Sequence, residues 1–341
     1  MSSNLTVAIV GAGGIAGGYD RERLNSSPGV FTHAGAYKQD GRFTLRTIID
    51  TDDGKARRFA EEWRVLTAMN NVSHLCGTFH DVVSVCTPDQ THASVIRALI
   101  QARAAKTIFA EKPLAISGAE IQEIRQASDA SGVHVVVNYQ RRFDPAHRRL
   151  RDLILTRRAH LRAVNAYYIK GLDHVGTTLI DTLCFLCGMP HAVFAYNRIF
   201  NKTIQDYTYE FILFFDAFNV TVKTVDVENA DYAYHIFEID FLMSDARVIV
   251  NDNSRRMETR KVIDYAYSGV RCLDDRLPLA EETGYALSML KAVGYLYEIT
   301  TGTRQHDENT PESSYSNHRI VEAVKRSYEE KSTTTIGDNH A

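Results

Sequence analysis

The sequence predicts an α/β chain of two domains: an N-terminal doubly wound parallel sheet with crossover helices, then a C-terminal α+β domain with a mostly antiparallel sheet. Three observations predict it. The chain has 341 residues, more than one core usually serves, since single cores stop growing near ~250–300 residues. Its first half alternates short apolar runs with helical patterns, the signal of βαβ units. Its second half carries long segments rich in β-branched and aromatic residues, punctuated by Asp, Asn and Gly, as antiparallel sheets are. The division is expected near Tyr139–Asp144, giving domains 1–140 and 141–341.

In chain order, Val7–Val10 is a buried-strand run that enters a Gly-rich turn, and Phe43–Ile49 is a second strand ending at Asp50. Lys55–Trp63 is helical. Val82–Cys86 is a strand closed by Thr87-Pro88, His92–Arg103 a helix, and Thr107–Ala110 a strand running into Glu111-Lys112-Pro113. Ser117 and Glu120 form a capping box, which opens a helix reaching about Ser131. Val133–Val137 is the last strand of this half. Beyond it, Asp144–Arg158 and Thr177–Leu186 read as helices, and Leu161–Ile169 reads as a strand. The segments Ala192–Phe200, Tyr207–Phe215, Val220–Val227, Tyr234–Met243, Arg247–Val250 and Val262–Tyr267 read as further strands. Helices over Gly284–Thr300 and Ser313–Glu330 close the chain.

Composition narrows the function classes. With 44% hydrophobic and 24% charged residues the chain is globular. Lys+Arg 39 against Asp+Glu 42 gives a net charge of -3, without the basic excess of a nucleic-acid binder. No apolar run approaches the ~20 residues that cross a bilayer. Met1–Leu5 has no basic leader, so no signal peptide is expected. Five scattered cysteines fit free thiols and a cytoplasmic location. Cys184 and Cys187 lie in an apolar helical run with no second pair, so packing is expected there and a metal site is not.

Gly11-Ala12-Gly13-Gly14-Ile15-Ala16 follows a strand and opens a helix. Gly11 permits a tight turn, Gly13 lets the backbone approach a pyrophosphate, and Ala16 allows close helix–strand packing. The N–H groups of the turn, through Gly14 and Ile15, face the phosphates. Asp50 can accept from the adenosine ribose hydroxyls and repels a 2′-phosphate, so NAD is expected rather than NADP; the alternative is that Asp50 caps the next helix. Ala16 and Asp50 stand farther apart than the ~20 residues of the usual fingerprint. The excess reads as an excursion from Gly17-Gly18-Tyr19-Asp20 to Phe31, where Arg21 and Arg23 can meet an anion or simply face solvent.

The Gly-rich turn, Val85-Cys86-Thr87-Pro88 with His92, and Glu111-Lys112-Pro113 occur in that order. With the β-rich second half they resemble the glucose–fructose oxidoreductase/inositol dehydrogenase (Gfo/Idh/MocA) family over nearly the whole chain. The resemblance implies a Rossmann domain, an open and mostly antiparallel second sheet, a nicotinamide cofactor, and redox chemistry on a sugar-like carbinol. It places Thr87, Pro88, His92 and Glu111 at the cofactor and Lys112 beside the reacting carbon, with Lys112–Pro113 a candidate cis bond. Chemistry points to Lys112 as well, because alcohol oxidation needs a group that takes the hydroxyl proton as hydride leaves.

The second catalytic stretch departs from the family pattern Asp-x-Gly-x-His-x-x-Asp. Gly176 and Asp181 align with it, but His174 takes the place of the Asp and Thr178 that of the His. A Thr hydroxyl accepts no proton at neutral pH, so the imidazole expected is His174, assisted by Asp181. Packing and capping are the alternative roles around Gly176 and Asp181. Asn138, Tyr139 and Arg142 are expected at the substrate with Thr178, and the Arg-rich stretch from Arg141 to Arg162 suggests an anionic, nucleotide-linked sugar beside the plainer surface helix. The reading is an NAD-dependent oxidoreductase for a sugar or nucleotide sugar. The rival is a catalytically impaired regulatory or scaffold protein on the same fold. A homodimer or homotetramer is expected through a broad apolar outer face of the sheet.

Overall fold

The computed structural model describes residues 4–21, 29–75, 77–225, 236–265, 269–274, 276, 278–306 and 308–337. The chain forms two compact units. The first runs to Phe143 and takes in Ala286–Ser316; the second comprises Asp144–Tyr285 and the chain from Asn317 onward.

In the first unit, strands β1 (Leu5–Val10), β2 (Phe43–Ile49), β3 (Thr67–Met69), β4 (His80–Val85), β5 (Ala105–Ala110) and β6 (His134–Val137) make a parallel sheet in the order β3-β2-β1-β4-β5-β6. Between them lie α1 (Tyr19–Arg21), α2 (His33–Asp40), α3 (Asp53–Trp63), α4 (His92–Gln101) and α5 (Gly118–Ser131). Side chains alternate across a strand, so β1 serves two cores. Val7 and Ile9 pack with Ile48, Phe109 and Val136, whereas Ala8 and Val10 pack with Val83, Val85, Ile96 and Ile124. Ser117 caps α5 as its sequence requires, accepting from the Glu120 N–H while its hydroxyl donates to the Glu120 carboxylate.

Register positions the site. Val10 pairs with Ile49 and with Val85, Val85 with Ala110, and Ala110 with Val137. The next residue on each strand, namely Gly11, Asp50, Cys86, Glu111 and Asn138, therefore stands in one row beyond the carboxyl ends. The order reverses between β1 and β4, the switch point at which doubly wound sheets take ligands.

The second unit is built on α6 (Pro145–Thr156), β7 (Leu161–Tyr168), α7 (Thr177–Cys187), β8 (Ala192–Asn201), β9 (Asp206–Phe214), β10 (Asn219–Thr224), β11 (Phe237–Met243), β12 (Ala246–Asn251), β13 (Arg256–Asp264), β14 (Arg271–Leu273), β15 (Leu279–Glu282) and β16 (Thr334–Thr335). Among the described residues they form one sheet, β14-β13-β12-β11-β7-β10-β9-β8-β16, with β15 also paired to β13. All pairs are antiparallel except β7 with β10. Its inner face, including Val164, Ala166, Phe211, Leu213, Ile239 and Phe241, packs with Leu150, Leu179, Leu183 and Val324.

Two helices close the chain, α8 (Ser288–Thr301) and α9 (Pro311–Glu330). A single boundary at 140/141 assigns α8 to the second domain; the structure assigns it to the first. The reason is its apolar stripe, Ala292, Val293, Leu296 and Ile299, which is buried in the core that holds Val7 and Ile9. Strand β13 begins at Arg256, before the expected Val262, because residues 256–259 pair with both β12 and β15. Residues 226, 227, 234, 235, 266 and 267 of the expected strands lie outside the described residues, as does Cys76. Cys187 is buried and its thiol is pushed up to about 12 by burial, while Cys184 is half-buried; neither is in a disulfide among the described residues. Among the described residues no helix is long and apolar enough to cross a membrane, and no group of three metal-ligating side chains converges.

Candidate functional site

The row of strand ends opens into a cavity of about 690 Å³, lined among others by Gly11, Gly13, Gly14, Ile15, Tyr19, Asp50, Thr51, Lys55, Asn70, Asn71, Cys86, Thr87 and Pro88. Gly11 has φ of 95°, and a Cβ there would lie 2.5 Å from the Cys86 carbonyl oxygen. Glycine is required on both counts. Gly13 faces open space, with nothing within 4 Å of where a Cβ would stand. Ala16 is fully buried, as close helix packing requires.

Asp50 is fastened to this turn. One carboxylate oxygen accepts the Ala12 N–H at 2.8 Å and the other the Asp52 N–H at 2.9 Å. The helix cap is Asp52, which accepts from the Lys55 N–H at 3.0 Å, so the capping alternative for Asp50 is replaced by a role at the turn. The expected regular helix after the glycines is also replaced. Gly14–Gly18 forms a π-helical turn followed by the three residues of α1. π-Turns are frequent at functional sites.

The residues fit a dinucleotide. Gly13 leaves room for a pyrophosphate, Asp50 stands where ribose hydroxyls need an acceptor, and the Thr87 hydroxyl oxygen is buried without a partner among the described residues. An orphaned buried hydroxyl is costly unless something meets it, and Thr87 lines the cavity.

His92 and Glu111 do not line that cavity. His92 is buried and braces its wall from behind: Nδ1 meets the Pro113 carbonyl at 2.7 Å and Nε2 the Thr87 carbonyl at 2.8 Å. Glu111 is buried in a polar chain. Its Oε1 accepts from Asn138 Nδ2 at 2.6 Å and meets His33 Nε2 at 2.9 Å; His33 Nδ1 meets Ser84 Oγ at 3.0 Å, and Ser84 meets the Tyr37 hydroxyl at 2.8 Å. Burial alone would push the Glu111 carboxyl up, but His33, Asn138 and the neighbouring Lys112 together hold it below the ordinary carboxylate value. Lys112 follows directly, half-buried, with a cis bond to Pro113. Its side-chain nitrogen takes no hydrogen-bond partner among the described residues.

Of the proposed substrate residues, Asn138 is buried against Glu111, and Tyr139 is buried with its hydroxyl donating to Ser314 Oγ at 3.1 Å. The Arg142 guanidinium lies 5.4 Å from the Tyr139 ring centre.

In the second unit the segment of interest also forms a π-turn, Gly171–Gly176, ahead of α7. Gly171 has φ of 81° and donates its N–H to Thr208 Oγ1 at 2.8 Å. The Asp206 carboxylate accepts the Asp173 N–H at 2.9 Å; burial and then the Asp173 charge push its carboxyl up. His174 is exposed on the turn, and Thr178 is half-buried on the first turn of α7. Asp181 is buried and accepts from Asn317 Nδ2 at 2.7 Å, a contact inside the second unit. The Arg-rich stretch is engaged within that unit as well. Arg149 pairs with Glu281 and Arg157 with Asp245, while Arg151 and Arg158 lie over Phe185 and Phe218. Of the two excursion arginines, Arg21 pairs with Glu62 at 3.1 Å and Arg23 lies outside the described residues.

Tyr19, Lys55, Asn70 and Asn71 line the cavity without having been singled out from sequence. Asn70 and Asn71 follow β3, whose three residues are too few for a period-2 pattern to register.

Residues 5–139 match the oxidoreductase family with an NAD-binding Rossmann fold known as Gfo/Idh/MocA. Inositol 2-dehydrogenase of Acidothermus cellulolyticus is 34% identical over 125 residues, which is 33% of this chain and 36% of that enzyme. Inositol 2-dehydrogenase of Corynebacterium glutamicum is 30% identical over 158 residues, 45% of this chain and 42% of that enzyme. The chain thus matches less than half the length of these curated relatives. Levoglucosan dehydrogenase, solved with NADH and levoglucosan, shares the fold, with a TM-score of 0.77 at 16% identity, covering 98% of this chain and 100% of that one.

Proposed function

We propose, from the match of residues 5–139 to the Gfo/Idh/MocA oxidoreductases with their NAD-binding Rossmann fold, that the chain is an NAD-dependent dehydrogenase of that family acting on the carbinol, or in reverse the ketone, of a sugar or nucleotide sugar. The observation that carries the reading is Lys112: an amine without a hydrogen-bond partner among the described residues, half-buried, one residue beyond the strand-end row that builds the cofactor cavity. NAD, when bound, is the hydride acceptor. Lys112 takes the hydroxyl proton as the carbonyl forms, and returns it in the reverse direction. Glu111, fixed by His33 and Asn138, keeps a carboxylate beside that amine. His174 is the imidazole assigned to the second unit, with Asp181 holding α7 against Asn317 beneath it in sequence. Relatives named for inositol and levoglucosan support a polyhydroxylated ring as substrate. The arginines engaged inside the second unit favour a neutral sugar over a nucleotide-linked one. A homo-oligomeric, cytoplasmic enzyme is part of the same reading.

The test is Lys112→Ala assayed with a panel of cyclitols, sugars and sugar nucleotides. Turnover should fall by about 10²–10⁴, the usual contribution of a positioned acid–base group, while NAD binding measured by calorimetry is unchanged. Unchanged turnover would sink the assignment. Thr178, whose hydroxyl accepts no proton at neutral pH, supports the impaired-scaffold reading instead. That reading gains if wild-type protein binds NAD yet forms no NADH with any member of the panel.

A further inference from the structure

The Gly-rich turn contains more glycine than its fingerprint needs. Gly14 and Gly17 occupy positions where G-x-G-x-x-G/A makes no demand, and each lies against an aromatic ring. A Cβ on Gly14 would stand 2.6 Å from Tyr19 Cε1 and 3.1 Å from its hydroxyl oxygen; one on Gly17 would stand 2.4 Å from Trp63 Nε1. The π-turn is therefore bracketed. Trp63 packs on its outer side with Phe59, and Tyr19 lies over Gly14 on the cavity wall. Tyr19 is 57% exposed, a large amphipathic ring with one face uncovered at the edge of a ligand cavity.

Its neighbour holds it in place. Asp20 accepts the Phe31 N–H at 3.0 Å, the Thr32 N–H at 3.1 Å and the Thr32 hydroxyl at 2.6 Å. Gly35 approaches so closely that a Cβ there would lie 2.2 Å from the same carboxylate. Thr32 in turn caps α2. The backbone at Tyr19 is thus tied to a regular helix.

We infer that Tyr19 is a cofactor-positioning residue, whose phenol O–H donates to the pyrophosphate of NAD and whose ring covers the adjoining ribose. The inference rests on the NAD reading of the cavity. A long helix beginning at the glycines would aim a macrodipole at the anion, but a five-residue π-turn and a three-residue α1 align few peptides. The anion must then be met by individual donors. Backbone N–H groups at Gly13 and Gly14 are one set, and the Tyr19 hydroxyl, set over Gly14, is the next in reach. The ring excludes water from those bonds, which strengthens each of them.

Binding of NAD, ADP-ribose and adenosine to wild type, Tyr19→Phe and Tyr19→Ala tests this by calorimetry. Quenching of Trp63, the single tryptophan of the chain, gives a second readout with NADH. Tyr19→Phe should weaken NAD and ADP-ribose about tenfold and Tyr19→Ala further, with adenosine, which has no phosphate, bound as in wild type. The melting temperatures of all three proteins should agree, since the side chain is largely exposed. Equal NAD affinity in wild type and Tyr19→Phe overturns the hydroxyl's role, and an equal loss for adenosine overturns its location at the pyrophosphate. If wild type itself binds no NAD, the reading of the cavity fails and the inference with it.

Discussion

Asp50 does two things with one carboxylate. It ties the Gly-rich turn to the end of β2 through the Ala12 N–H, and it sets a negative charge where the adenosine ribose is expected. Lys55 lines the same cavity from the first turn of α3. The pair makes cofactor preference a matter of local charge: the carboxylate repels a 2′-phosphate, and the ammonium attracts one. Asp50→Asn keeps an oxygen for Ala12 and removes the charge. The ratio of NADP to NAD affinity should then rise about tenfold, about 1.4 kcal/mol, with little change in melting temperature. Titration of both nucleotides checks it, and a ratio no higher than wild type would show that Asp50 is only a structural tie. Lys55→Ala added to that variant should take back part of the gain.

At the scale of elements, the large sheet has one covered face and one that is not. Cross-strand pairs share a face, so the register sets Tyr167, Glu238 and Lys223 side by side, Leu242 beside Arg247, and Asp240 beside Ile249. Tyr167 and Leu242 are exposed, while Arg247 and Asp240 join at 2.7 Å. The face is therefore mixed in character, not the broad apolar surface expected, because strand alternation fills outward positions with charged as well as apolar residues. Interfaces between soluble subunits have this mixed composition, with aromatic residues and Arg enriched. The expected outcome is a homodimer at micromolar concentration by light scattering, reduced toward monomer by Tyr167→Glu with Leu242→Glu. Wild type running as a monomer would remove the oligomer from the reading.

For the whole molecule, legibility followed periodicity. β2 was readable to the residue, and Ser117 announced α5, because apolar alternation and capping chemistry are local. The strand-end row holds Gly11, Asp50 and Glu111, each found from a motif beside a strand. What escaped was non-local. The return of α8 to the first unit depends on which core its stripe fills, and a stripe carries no address. The π-turns hinge on contacts such as Tyr19 on Gly14, which no period encodes. The same non-local burial predicts how stability responds to acid. His80, His134 and His318 are all held below the ordinary histidine value of 6.5, in each case first by burial. A group that binds protons more weakly when folded favours unfolding as pH falls below its unfolded value. Stability should thus be flat above about pH 7, fall as pH drops through 6.5, and keep falling until the folded histidines protonate. A second loss follows as pH falls through the ordinary carboxylate range and below it, where the unfolded chain takes up protons that Glu111 and Asp144, both held low in the fold, still refuse; the raised carboxyl of Asp206 acts the opposite way and at higher pH, adding stability as pH falls from its raised value to the ordinary one. The histidine window is therefore the cleaner one. Melting temperatures between pH 8 and 5 check it, and His80→Gln, which keeps a partner for Thr47 but carries no titration, should flatten the slope near pH 6. A melting temperature constant from pH 7 to 5 in wild type would mean that these histidines are protonated as readily in the folded chain as in the unfolded one.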